Sequence, residues 1–145
     1  MLHSYSILPE YGLLWKRFRG HITRQQLAEL DQQVSSDIRN DRTMSVLNDL
    51  RGVQNLDFDY NHISVLGREM RGSFADCPGV VKFAICAPGD LAFGLGRMFQ
   101  TLMSDFEKLD IGVFRDVDET LDFLGIPATK RPMLRCGDPE MAEFF

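Results

Sequence analysis

The chain has 145 residues and a formal net charge of −5 at pH 7, which suits one domain able to bury a core without disulfide or metal staples. Its 44% hydrophobic and 26% charged residues are ordinary for a soluble globular protein. The basic residues are interspersed with acids, which excludes the basic patch that a nucleic-acid partner would need.

"SYSIL" and "GLLWKRFR" are short runs rich in strand-favouring residues, and Pro9 and Gly12 of "PEYG" punctuate the turn between them. The pair reads as a hairpin. In "ITRQQLAELDQQVSSDIRN", Thr23 and Gln26 fit a capping box and Ile22 and Leu27 a hydrophobic staple. Leu27, Leu30, Val34 and Ile38 then recur at helical spacing, predicting an amphipathic helix on a core. "MSVLNDL" is the next strand, and "DYNHISVLGREM" a weaker helix carrying Ile63, Leu66 and Met70 on one side and ending near Gly72. "VVKFAICA" is the best strand: β-branched, almost wholly apolar, and bounded by Gly79 and Pro88. Such runs occupy a sheet centre covered on both faces. A long helix is predicted from Asp90 through "LAFGLGRMFQTLMSDFEKL", then the strand "IGVF" and a closing helix "DVDETLDFLG". Asp116 and Glu119 mark the start of that helix, and Gly125 with Pro127 its end.

Strands alternating with helices imply parallel pairing through right-handed crossovers, with one antiparallel strand from the hairpin. The expected architecture is a single-domain α/β fold over residues 1–127, a five-stranded mixed sheet packed by four helices. Residues 128–145, aperiodic and rich in Pro and Gly, read as an extended or mobile tail whose Phe144 and Phe145 could dock on a surface.

Cys77, Cys86 and Cys136 are odd in number and show no CxxC or Cys/His spacing, so they read as free thiols in a reducing cytoplasm. "MLHSYSILPEYG" has no basic segment followed by a long apolar one, the pattern of a signal peptide. No apolar run approaches the roughly 18–20 residues of a membrane span. The expected location is cytoplasmic.

Ligands of open α/β sheets gather beyond the carboxyl ends of the parallel strands, here Gly20–His21, Asp49–Asn61, Ala87–Asp90 and Arg115–Asp116. The second of these, "DLRGVQNLDFDYN", crowds three aspartates and two aromatics into what reads as a functional loop. Asp57, Asp59 and Asn61 have the one–three–five spacing of a calcium loop. However, His62 and Arg68 replace the glycine and glutamate that loop requires. Asp59 reads as a helix N-cap. "DFD" alone is thin support for magnesium-assisted phosphoryl transfer. His3, His21 and His62 sit in separate segments, with no serine or cysteine visibly paired to them. Gly94 and Gly96 fall inside a helical pattern and lack a third glycine, so close helix packing is expected there and not a phosphate loop. No catalytic constellation, cofactor site or metal site is predicted.

The element order, the "DLRGV…D" turn and the closing "VFRDVDETLDFLG" resemble the STAS domain, particularly its SpoIIAA-like branch. "APGDLAFGLGRMFQ" is similar to small bacterial proteins near that branch. The resemblance runs from about Tyr5 to Leu124 as an order of elements. It places Asp57 at the acidic position of the anti-sigma-antagonist turn, Phe58 and Asp59 at its two serines, and Tyr60 at its glycine. It therefore implies a module without the phosphorylatable serine, with Asp59 able to mimic a phosphorylated residue only in part.

In the long helix Leu91, Ala92, Leu95, Met98, Phe99, Leu102, Met103, Phe106 and Leu109 span an arc broader than one sheet face needs, and Phe93 lies outside it. Two functional expectations follow. The first is a non-enzymatic STAS-like protein–protein interaction module, a homodimer or other homo-oligomer. Its surfaces would be the loop residues Asp49, Arg51, Asp57, Phe58, Asp59 and Tyr60 and the Met/Phe side of the long helix. The second is a carrier or sensor of a lipid-like apolar molecule, with transient membrane contact and with Phe93, Met98, Phe99 and Met103 lining or gating a pocket. Some SpoIIAA-like proteins are similar to CRAL-TRIO lipid-binding domains, which is what the second expectation draws on.

Overall fold

The computed structural model describes residues 3–140. Strands β1 (His3–Leu8), β2 (Leu13–Ile22), β3 (Ser45–Leu56), β4 (Val81–Cys86) and β5 (Leu109–Phe114) form one sheet in the order β1-β2-β3-β4-β5. β1 pairs antiparallel with β2, and all later pairs are parallel. The helices are α1 (Arg24–Ser36), α2 (Tyr60–Phe74), α3 (Asp90–Leu102), α4 (Val117–Phe123) and α5 (Arg131–Cys136). The α/β class and the five-stranded mixed sheet are as the sequence predicts; a fifth helix is added.

Sequential right-handed crossovers that all step the same way place their helices on one face. Leu14, Val46, Phe83 and Ile85 accordingly share a buried cluster with Val34 of α1, Ile63 of α2 and Ala92 and Phe99 of α3. Their strand neighbours Leu13, Trp15, Leu47, Ala84 and Cys86 point the other way, as the period of two requires. They meet Leu121 and Leu124 of α4 and Met133 and Leu134 of α5. β4 is thus an interior strand covered on both faces.

Three boundaries depart from the sequence reading. α1 stops at Ser36, and Ile38 is fully exposed. The Asp37 carboxylate accepts hydrogen bonds from the Arg39 amide and guanidinium and from the Tyr5 hydroxyl, so a local turn outcompetes a further helical turn. α3 ends at Leu102, where Arg71 of α2 donates to the last carbonyl (3.1 Å). Phe106 is held by Arg71 in a cation–π contact and Leu109 begins β5, so both extend the helical period by coincidence. Finally, "RGVQNL" continues β3 to Leu56 and is no loop. β2 and β3 stay paired to Ile22 and Leu56, beyond the last β3–β4 pair at Asp49–Cys86. This extension is held because Phe18 and Ile22 pack with Leu30 of α1, backed by Leu50 and Leu56.

The expected extended tail is the larger correction. Ala128–Lys130 forms a 3₁₀ turn leading into α5. Pro132 sits in the first turn of α5, and Gly137 ends it at φ +82°, a left-handed conformation suited to glycine. Leu134 is wholly buried against the α4 side of the sheet. A helix of six residues, fewer than two turns, is too short to show a period in sequence. Phe144 and Phe145 lie outside the described residues.

Among the described residues no helix is long and apolar enough to cross a membrane. No group of three or more His, Cys, Asp or Glu side chains there could hold a metal.

Candidate functional site

The expected loop residues do not form one surface. Asp49 and Arg51 lie in β3, on the α5 side of the sheet. Asp49, 5% exposed, accepts from the Trp15 indole N–H (3.1 Å) and forms a two-point pair with Arg51 (2.9 and 2.7 Å). Arg51 in turn donates to the Leu134 and Arg135 carbonyls (2.6 and 2.9 Å). These two residues therefore clamp α5 to the sheet, satisfying carbonyls that a helix C-terminus leaves open. Asp59 is the N-cap of α2: its carboxylate accepts from the His62 amide (3.0 Å), and His62 Nδ1 accepts from the Asp59 amide (3.1 Å). Asp57, Asp59 and Tyr60 face solvent, whereas Phe58 turns inward with its ring edge to His62.

The four long-helix residues also part company. Phe99 and Met103 are buried, and Met98 is 38% exposed. Phe93 lies beneath the Arg115 guanidinium (4.3 Å). Of the four, Phe99 borders a cavity. Gly96 is there for packing: a Cβ on it would come 3.0 Å from Val113 Cγ1. Gly94 is exposed with open space around it.

That cavity, about 100 Å³, lies between the sheet and α1, α2 and α3. Its wall is apolar, with Phe18, Leu50, Phe58, Leu66, Ile85 and Phe99 prominent. Leu27, Asp31, Phe58 and Leu66 also line an adjoining trough of about 340 Å³ between α1 and α2. A third hollow, about 160 Å³, shares Lys16, Asp31, Leu66, Met70 and Phe83 with the cavity and runs toward Asn40–Arg42. The three hollows thus adjoin one another along the gap between α1 and α2, with Phe58 in the lining of the first two.

The cavity has one polar place. Lys16 is 8% exposed and donates to Asp31 Oδ1 at 2.9 Å, its one hydrogen-bond partner among the described residues. An ammonium has three donors, so two remain. Asn48 stands beside Lys16 in register and gives its amide N–H to the Ala84 carbonyl (3.0 Å). Lys16 is buried while the Asp31 side chain is one-third exposed, and desolvating the ammonium costs free energy that one such partner offsets only in part, so the remaining donors give the cavity polar capacity. Sequence reasoning missed Lys16, Asp31 and Asn48. The visible signal was "LLWKRF": two adjacent cations in an apolar strand must send one to each face.

The cysteines are free, and burial pushes the Cys86 thiol up, away from the reactive thiolate. In comparisons with protein-family models, curated proteins and solved structures, the chain finds no match.

Proposed function

We propose that this protein is a non-enzymatic STAS-like module that binds a lipid-like small molecule, apolar along its body with one polar end. The observation that carries this reading is the apolar cavity with Lys16 and Asn48 of the sheet and Asp31 of α1 in its lining. Ligand pockets combine mostly apolar walls with a few placed polar groups in this way. A dry cavity of about 150 Å³ accommodates benzene, so about 100 Å³ accepts only the first few carbons of a chain. A longer ligand lies along the trough with Phe58 and Leu66 displaced.

Ala92→Leu tests the reading, because Ala92 is buried at the cavity wall and added methyl groups enter space already empty. The variant is expected to fold and to lose less than the roughly 1–3 kcal/mol that overpacking a filled core costs, because the cavity takes up the added atoms. It should bind a dansyl-labelled undecanoic acid at least about tenfold more weakly, a loss of 1.4 kcal/mol. Equal binding by both proteins, followed by fluorescence titration, would remove the cavity from the account.

A second reading, an interaction module, is supported by the turn itself: Phe58 lies in the cavity wall while its neighbours Asp57, Asp59 and Tyr60 face solvent. Occupancy that moves Phe58 moves these neighbours, which gives a protein partner something to read. The two readings separate by mass: an adduct marks the ligand module, and an unliganded dimer marks the interaction module.

A further inference from the structure

The opposite face of the β2–β3 extension carries a second concavity that the apolar reading does not use. β2 places Arg17 and Arg19 opposite Asp49 and Gly52 of β3. With Arg51, Cys136 and Gly137 these residues border an open hollow of about 260 Å³. Three arginines against the single carboxylate of Asp49 leave a lining charge of +2.

Arg17 is the unusual member. It is 6% exposed, and burying a cation without a partner is costly. Its guanidinium stacks on the Trp15 ring, 4.5 Å from the centroid. Nε donates to Ser4 Oγ (3.1 Å) and Nη1 to the Trp15 carbonyl (3.5 Å). That uses two of its five N–H groups, leaving three without a partner among the described residues. Burial pulls its pKa down, while Asp49 and Asp138 act on it through space. No described carboxylate comes within 4.0 Å of it, and Asp49 is committed to Arg51 and Trp15. Asp138 Oδ1 takes the Glu140 amide.

The geometry around the hollow keeps it open. A Cβ on Gly52 would sit 3.0 Å from Arg19 Cγ, so glycine lets the Arg19 stem cross β3 at the rim. Arg51 is fixed by Asp49 and the α5 carbonyls, which makes it a rigid wall. The held Arg17 guanidinium, with free N–H groups, beside the exposed Arg19 is suited to an oxyanion, which takes forked, charge-assisted bonds.

We propose that the hollow bordered by Arg17, Arg19 and Arg51 binds the phosphate group of a small, soluble phosphoester. Trp15, the one tryptophan of the chain, lies directly under Arg17 and reports on the site. The test titrates glycerol 3-phosphate into the full chain at constant ionic strength, with chloride as the balancing anion, and follows Trp15 emission. A saturable change is expected, weakened about fivefold in Arg19→Gln, whose side chain is exposed and whose loss leaves the core intact. Arg17→Met, which keeps the stem over Trp15, is expected to lose the response. A response equal to that of chloride overturns the proposal. So does a saturable response that Arg19→Gln leaves unchanged, which would place the anion elsewhere. A response seen only with vesicles containing phosphatidic acid, at equal phosphate, overturns the soluble-ligand assignment in favour of a lipid headgroup. None of these outcomes depends on the cavity across the sheet.

Discussion

Asp49→Ala is expected to destabilise the protein by about 3–5 kcal/mol, the range for removing one partner of a buried ion pair. The carboxylate is 7% exposed at its side chain and takes two Arg51 bonds plus the Trp15 indole. Without it the part-buried Arg51 cation stays beside the α5 carbonyls with nothing to neutralise it, and the buried Trp15 indole loses its acceptor. The urea midpoint should fall at unchanged slope, and hydrogen exchange in α5 should quicken because that helix hangs on Arg51. The double variant Asp49→Leu/Arg51→Met should recover the part of the loss due to the unneutralised cation, but not the part due to the Trp15 indole and the two α5 carbonyls, which stay without partners. A single variant within about 1 kcal/mol of wild type would show that the clamp contributes little and that α5 is held by Met133 and Leu134 alone.

Phe99→Ala has an effect of similar size but different consequence. Phe99 is 3% exposed, packs its ring 5.9 Å from that of Phe83, and walls the apolar cavity. Aromatic truncations in cores cost about 3–5 kcal/mol through lost transfer energy and the void left behind. Here the new void joins space that already exists, so little collapse is expected. The variant should then be rescued by a small apolar compound: benzene near 100 times its dissociation constant restores about 2.7 kcal/mol and raises the thermal midpoint more than in wild type. Destabilisation without rescue would mean that α3 has closed over the gap and the cavity is not a stable feature.

What the sequence disclosed depended on how each residue's role is encoded. β4 was legible because an interior parallel strand is apolar on both faces, and "VVKFAICA" is so but for Lys82. α1 announced its start through Thr23 and Gln26, which do form the reciprocal cap. Its end was hidden, since only the fold shows that Asp37 finds Tyr5 across 32 residues. The β3 extension was misread because turn-forming residues, Gly52 and Asn55, sit in a strand whose order comes from β2 and α1. α5 was missed for a related reason: its six residues are stabilised by Arg51, 83 and 84 residues away in sequence.

The candidate sites divide in the same way. Asp49 and Arg51 were singled out as a partner loop, yet their chemistry is turned inward to the fold. Phe58 was singled out for a surface and is a cavity wall. Lys16 and Arg17 stood in plain view inside a strand. Only alternation across a sheet buried on both faces shows that each must serve a different side.

The most direct test of the central claim is native mass spectrometry on protein incubated with a sixteen-carbon fatty acid and desalted without detergent. The account predicts a one-to-one adduct on wild type, released on denaturation, and a bare mass for Ala92→Leu under the same conditions. A bare wild-type mass, whether monomer or dimer, would contradict it and leave the cavity as a packing defect between α1 and α2.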